Sequence, residues 1–224
     1  MTSVRRSIAA MLLAGTALFL TACAGVPSAS ERVLSFHSDI AVQPDSTMVV
    51  RETIKVRTTG VIIKHGIFQE FDGEGTDQRF HVEDVQLDGQ PAVHSSRDVP
   101  GGLRVYVGSE DLPLPPGEHT YTIAYQTGLG VRTEGGQRVL RWNVTGDKWG
   151  FPIDAASASV ELPASVPRDA LKIEAYTGTA HAQNPGVDFH VDGQGRVQFR
   201  SLRALGIGEG MTVVVSWPVV TGPK

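Results

Sequence analysis

Apolar side chains recur at every second position in short runs that Gly and Pro interrupt, and this rhythm holds from Val33 to Pro218. Val50, Glu52, Ile54 and Val56 fall on one face of such a run, and Arg51, Thr53, Lys55 and Arg57 on the other. Successive side chains of a strand point to opposite faces, so the run reads as a half-buried strand. Leu103, Val105 and Val107 repeat the pattern, as do Tyr121, Ile123 and Tyr125, then Leu140, Trp142 and Val144. Ala158, Val160 and Leu162 make a strand ended by Pro163, and Leu171, Ile173 and Ala175 another. The last strand carries Met211, Val213, Val215 and Trp217. Asp88-Gly89 after Val85 and Leu87 marks a two-residue hairpin. A second hairpin is expected around Asp192-Gly193-Gln194-Gly195. With 25 Gly and 13 Pro, long helices would be costly. The pattern predicts an all-β fold, an antiparallel β-sandwich of one large or two small tandem subdomains, with a possible division near residues 128–137.

The first residues follow a different rule. Arg5 and Arg6 precede an apolar run from Met11 to Leu20, which closes on Leu20-Thr21-Ala22-Cys23. A charged start, a short apolar middle and small residues before a cut describe an export signal. The final four residues resemble the lipobox of bacterial lipoproteins. That resemblance implies cleavage before Cys23, a diacylglycerol on its sulfur and acylation of the new amine. The apolar run falls short of the roughly 20 residues a membrane span needs. The expected organisation is a signal peptide over 1–22, a lipidated tether over 23–32 and an extracytoplasmic domain over 33–220. Ala24, where an aspartate would signal inner-membrane retention in Gram-negative lipoproteins, points to the periplasmic side of the outer membrane if the cell has two membranes.

Removing 1–22 takes away two arginines and no acid, so net charge moves from −4 to −6. A mildly acidic chain has no electrostatic footprint for nucleic acid. The single Cys excludes an internal disulfide. The seven histidines, His37, His65, His81, His94, His119, His181 and His190, form no local zinc spacing. No nucleophile elbow, P-loop or dinucleotide fingerprint is present, so neither cofactor nor metal is expected.

Several segments together resemble one bacterial family, the domain of unknown function 2207, described as a predicted membrane protein. They are His65-Gly66-Ile67-Phe68-Gln69-Glu70-Phe71, residues 117–125, residues 140–154 with Trp142-Asn143-Val144-Thr145-Gly146 at their centre, Ala175-Tyr176-Thr177-Gly178, and residues 205–218 with Gly208-Glu209-Gly210. The resemblance covers about residues 33–220 and implies an extracytoplasmic domain, with no established activity. Two departures stand out. Members of the family usually continue into transmembrane helices, so here the N-terminal lipid would replace them. Gln69-Glu70 also stands where the family typically carries Arg-Asp.

Chemistry is densest between Trp142 and Asp154. Trp142, Asn143, Asp147, Trp149 and Asp154 would suit a carbohydrate if exposed together, since indoles stack on sugar faces and amides and carboxylates bond hydroxyls. The same residues also read as a strand with Trp142 in the core, a turn at Gly146-Asp147 and Trp149 as a lid. The sequon Asn143-Val144-Thr145 reads as coincidental. Glu52, on an apolar face, is expected to pair with an arginine across the sheet, and Glu209 to shape a turn. The reading favoured is a non-catalytic binding or scaffolding domain at the cell envelope, held to the membrane by lipid and meeting an envelope protein or glycan. The alternatives are a glycan hydrolase using two of Glu52, Glu70, Asp147 and Asp154, and an accessory subunit of a membrane assembly.

Overall fold

The computed structural model describes residues 30–72, 80–180 and 182–219. Cys23, the export signal, nearly all of the tether and His181 lie outside the described residues. Almost everything described is strand or turn, as the alternation requires. The largest sheet is centred on β1 (Arg32–Val42), β2 (Met48–Thr58) and, after other strands in the chain, β8 (Gly117–Thr127). On one side of this centre it gains β4 (Phe80–Leu87) and β5 (Gln90–Pro91). On the other side it gains β11 (Ala156–Glu161), β14 (Val197–Ser201) and β13 (Val187–Val191). A three-stranded sheet holds β3 (Gly66–Asp72), β7 (Gly102–Gly108) and β6 (His94–Val99), in that order. A four-stranded sheet runs β12 (Lys172–Gly178), β15 (Gly210–Pro218), β10 (Gln137–Asn143), β9 (Val131–Glu134).

The pairing is antiparallel except between β1 and β11, where Phe36 to Ala41 run parallel to Ala156 to Glu161. A parallel pair needs a long crossover, and all the chain from β2 to β10 supplies it. β1 itself was not legible as a separate strand. Its apolar positions Phe36, Ile40 and Val42 are interrupted by Ser38, which is fully buried on the same face.

The smaller sheets face the large one across a shared core. Phe71 of β3, Phe80 of β4, Tyr125 of β8 and Trp142 of β10 meet there, so one aromatic cluster joins all three sheets. Ring centroids are 4.3 Å apart for Phe71–Phe80, 4.6 Å for Phe80–Tyr125 and 6.4 Å for Phe71–Trp142. Each large apolar side chain withdrawn from water contributes about 1.5–3 kcal/mol, and aromatic pairs add specific geometry. The predicted inward faces are buried: Val50, Ile54 and Val56, Tyr121, Ile123 and Tyr125, Leu103, Val105 and Val107. Residues 128–137 hold β9 and its turn into β10, and a contiguous core draws side chains from both sides of them.

Turn chemistry fixes the registers. Asp88 and Gly89 take φ of 52° and 76°, the left-handed pair a two-residue hairpin demands. The Asp88 carboxylate also accepts from the Thr120 backbone N–H at 2.8 Å. In the β13–β14 turn Asp192 accepts from the backbone N–H of Gln194 and Arg196 at 2.9 and 3.0 Å. Gln198, with those bonds behind it, holds the Asp192 carboxyl well below its usual range.

Candidate functional site

The end of β10 and the loop after it are organised around one backbone carbonyl. Thr145 O accepts from Trp149 Nε1 at 2.7 Å and from Gln69 Nε2 at 3.1 Å. Thr145 Oγ1 accepts from the Met211 N–H at 3.0 Å. The loop is thereby tied to β3 and to β15. Gly210 makes this close approach possible: a Cβ there would stand 2.7 Å from Gly146 O and 2.8 Å from Asn143 Oδ1. Gln69, at the position of the family's arginine, works here as a buried amide clamp. Glu70 beside it faces outward and bonds Arg104, which lies directly across the β3–β7 ladder and caps the Phe68 ring at 4.5 Å.

Trp142 and Trp149 are 8% and 5% exposed. Trp149 packs edge-on to Phe36 at 6.2 Å and against Phe151 at 5.4 Å. Trp142 borders one cleft and Trp149 another, but at this exposure neither presents a full ring face to a sugar. The polar members of the set have other surroundings. Asn143 sits between two clefts. One, of about 360 Å³, is lined by Glu70, Arg132, Glu134, Arg141, Trp142 and Asn143. The other, of about 570 Å³, is lined by Arg141, Asn143, Asp147, Tyr176, Gln183 and Thr212. Asn143 Oδ1 is withdrawn from solvent and has no hydrogen-bond donor among the described residues. Asp147 is paired with Lys148 at 3.3 Å. Asp154 lies away from both clefts and binds Arg32 at 3.0 Å. The structure thus brings Asn143, Asp147 and Arg141 together, places Trp142 beneath them and separates Trp149 and Asp154 from them.

The four carboxylates considered for glycan cleavage occupy different settings. Glu52 is fully buried between the sheets, and its partner is the Tyr125 hydroxyl, which donates to Oε1 at 2.7 Å. The arginine expected across the sheet is replaced by this phenol, because Tyr125 faces the same interior from β8. Its other oxygen has no partner among the described residues. Burial, only partly offset by the Tyr125 bond, pushes the Glu52 carboxyl up to about 8, so it is neutral at pH 7. Burial and the carboxyl beside it likewise push the Tyr125 phenol well above its ordinary range. Glu70 borders the first cleft, Asp147 the second and Asp154 neither.

Glu209 closes the turn before β15. It accepts from the Gly206 N–H at 2.6 Å and from both terminal nitrogens of Arg203 at 2.6 and 2.9 Å. Arg203, helped by that amide, takes the Glu209 carboxyl down to about 2. Among the described residues no group of His, Cys, Asp and Glu could hold a metal ion.

One functional group escaped the sequence reading. Glu31, which read as tether, is 7% exposed. Its carboxylate accepts from the backbone N–H groups of Thr59, Val61, Ile62 and Ile63 at 2.6–3.1 Å and from Thr58 Oγ1 at 2.9 Å. Burial alone would raise its pKa, but these donors prevail and take it down to about 2. No local pattern announces this role, since the five donors lie 27 to 32 residues away.

Comparison with known proteins fits this architecture. A segment of 160 residues is 28% identical to the uncharacterized protein YciQ of Escherichia coli strain K12, covering 68% of this chain and 25% of that protein. The chain therefore spans about a quarter of the curated relative it matches. Two structures of leukotriene A4 hydrolase from Saccharomyces cerevisiae superpose with TM-scores of 0.52 and 0.51 at 14% and 13% identity. They cover 86% and 82% of this chain and 30% and 29% of theirs. At that identity the likeness is one of fold alone. Residues 32–217 match the N-terminal domain of the predicted membrane protein family DUF2207, and with nearly all of the described chain inside that match, this protein belongs to that family.

Proposed function

We propose that this chain is a non-catalytic binding or scaffolding domain of the cell envelope, held to its membrane by lipid on Cys23 and contacting its partner through the polar shelf around Asn143. The observation that supports the reading best is the arrangement at that shelf. Asn143 and Arg141 line both clefts, and Asn143 Oδ1, turned toward Gly210 and withdrawn from solvent, has no donor among the described residues. A polar atom withdrawn from water without a partner is costly unless a ligand or water completes it. The mix of Arg141, Asn143, Asp147, Tyr176 and Thr212 suits a partner rich in hydroxyl or amide groups, such as an envelope glycan or a polypeptide edge. Family membership supports association with a membrane. The described residues contain no helix long and apolar enough to cross one.

The hydrolase alternative has less support. One of its carboxylates is sealed in the core, and Glu70 and Asp154 are bound to Arg104 and Arg32.

The test is a photo-cross-linking residue placed at Thr212 in intact cells, with a second at exposed Glu161 as control. A defined envelope adduct at Thr212 and none at Glu161 is expected. Identical adduct patterns at both positions would remove the shelf as a binding surface. Fractionation of Cys23→Ser checks the anchor separately: the variant should lose membrane association.

A further inference from the structure

The loop between β2 and β3 is apolar at its tip, and most of its backbone donors are held within the protein. Val61 and Ile62 are 67% and 63% exposed. The N–H groups of Thr59, Val61, Ile62 and Ile63 are all held by Glu31, that of Gly60 by Thr58 Oγ1 at 2.9 Å, and that of Lys64 by Ile62 O at 3.0 Å. Six consecutive amides are therefore satisfied inside the protein. An ordinary exposed loop leaves such donors to water and cannot leave water without cost. Pairing these donors lowers the cost of withdrawing the tip, because low-dielectric surroundings penalise unsatisfied polar groups.

Neighbouring features extend this surface. The loop between β7 and β8 is joined to it by the Leu114 N–H, which donates to Lys64 O at 2.7 Å, and that loop carries Leu112 at 71% exposure. Beneath Ile62 lies a cleft of about 300 Å³ walled mainly by Ile63, Ile67, Phe68, Trp149 and Phe151. The position of the surface in the chain also matters. Glu31, which clasps the loop, stands eight residues after Cys23. Even fully extended, eight residues reach only roughly 26–29 Å.

We propose that the tip of the β2–β3 loop, Val61 and Ile62 with Leu112 beside them, lies in the interfacial layer of the bilayer that carries the Cys23 lipid. This rests on the lipid-anchor reading and deepens it, by saying which end of the domain faces the membrane. Glu110 and Asp111 beside Leu112 offset Lys64, which is exposed in the β2–β3 loop, and Lys148 in the cleft wall, so attraction to anionic headgroups is not the main driving force. The contact is apolar and insensitive to ionic strength.

The test uses the full lipidated chain. Lipid occupies Cys23, so Ile62→Cys introduces the one free thiol. That thiol is labelled with an environment-sensitive fluorophore. Gln194→Cys, in the β13–β14 turn, serves as control, and Val61→Cys repeats the reading should Ile62→Cys alter the far-ultraviolet circular dichroism. Both proteins are reconstituted in vesicles of phosphatidylethanolamine and phosphatidylglycerol, with or without brominated acyl chains. Because an interfacial apolar segment sits about 5–10 Å into the headgroup–acyl boundary, the label at 62 should be quenched about twofold or more and the label at 194 left unchanged. Salt should not alter the difference. If the protein floats with the vesicles and both labels respond alike, the membrane-facing loop is overturned and the anchor stands. If the purified chain does not float, the anchor reading fails and takes this orientation with it.

Discussion

Two glutamates among the described residues are removed from water, and their carboxyls are driven in opposite directions. Glu31 at the rim meets five donors and is held down to about 2; Glu52 in the core meets one and is pushed up to about 8. Both are more than nine-tenths covered. Burial by itself therefore does not decide whether a carboxyl is ionised. The number of donors aimed at it does, because each N–H or O–H directed at the oxygens replaces hydration that burial took away. At Glu31 the backbone is irregular, and a loop with free amides can wrap an anion. At Glu52 the backbone amides are spent on strand pairing with Ser38 and Ile123, so only a side chain could serve, and Tyr125 is the one that does.

The largest effect expected from breaking this contrast is at the rim. Glu31→Ala orphans four loop amides at once and should cost about 3 kcal/mol or more, since bonds to charged acceptors contribute about 1.5–3 kcal/mol each and do not add fully. Chemical denaturation at pH 7 measures it, and a loss under 1 kcal/mol would mean that the loop closes without its anion. The pH dependence follows the same sign. A carboxyl lowered from 4.5 to about 2 on folding stabilises fully above 4.5 and loses that contribution as pH falls toward 2. The wild type should therefore shed stability through this window faster than Glu31→Gln.

Glu52 should behave in reverse, over a pH window at least as wide. Its folded pKa lies above its unfolded one, so between pH 4.5 and about 8 the native state holds a proton that the unfolded chain has released. Stability then falls as pH rises, by up to about 1.4 kcal/mol per unit from this group. Glu52→Gln keeps the shape without the proton. Its melting temperature should be flatter than that of the wild type from pH 5 to 8, and equal slopes would show that Glu52 is not a buried acid.

Much of this was legible before the fold was known, and the reason lies in which interactions are local. The strands around Val50–Val56, Leu103–Val107 and Tyr121–Tyr125 were visible because period two is a property of the segment itself. Asp88-Gly89 was visible because a left-handed pair needs those residue types. Glu52 stood out as a carboxylate on an apolar face, but its partner did not, because Tyr125 lies 73 positions away and β2–β8 pairing is not written in either strand. β1 was obscured by its buried Ser38 and by its parallel pairing to β11. Trp142 and Trp149 declared themselves as a chemically dense stretch, whereas their burial depends on Phe71 and Phe36, which the sequence does not place beside them. Glu31 and Gln69 are invisible for the same reason: each acts on backbone groups of a distant loop.

A smaller loss, of about 1 kcal/mol, is expected from Tyr125→Phe, which removes the one donor of Glu52 while keeping the ring in the aromatic cluster. The same substitution should raise the Glu52 pKa further, because the Tyr125 bond is the one influence lowering it. The declining stability between pH 5 and 8 should then continue to higher pH.

The surface supplies the weakest case. Glu70 and Arg104 face each other across β3 and β7, with Arg104 about half exposed to water. Glu70 is mostly covered while Arg104 remains open to water, and such a pair gains modestly over hydration, so Glu70→Gln should cost about 1 kcal/mol and less in 1 M salt. Arg104→Ala should cost more than Glu70→Gln, because it also uncovers the Phe68 ring that the guanidinium caps. If the two substitutions prove equal, the packing on Phe68 contributes nothing and the pair acts through charge alone. If both exceed the loss at Glu31, the rule that donor count at buried carboxyls governs this domain's electrostatics is wrong.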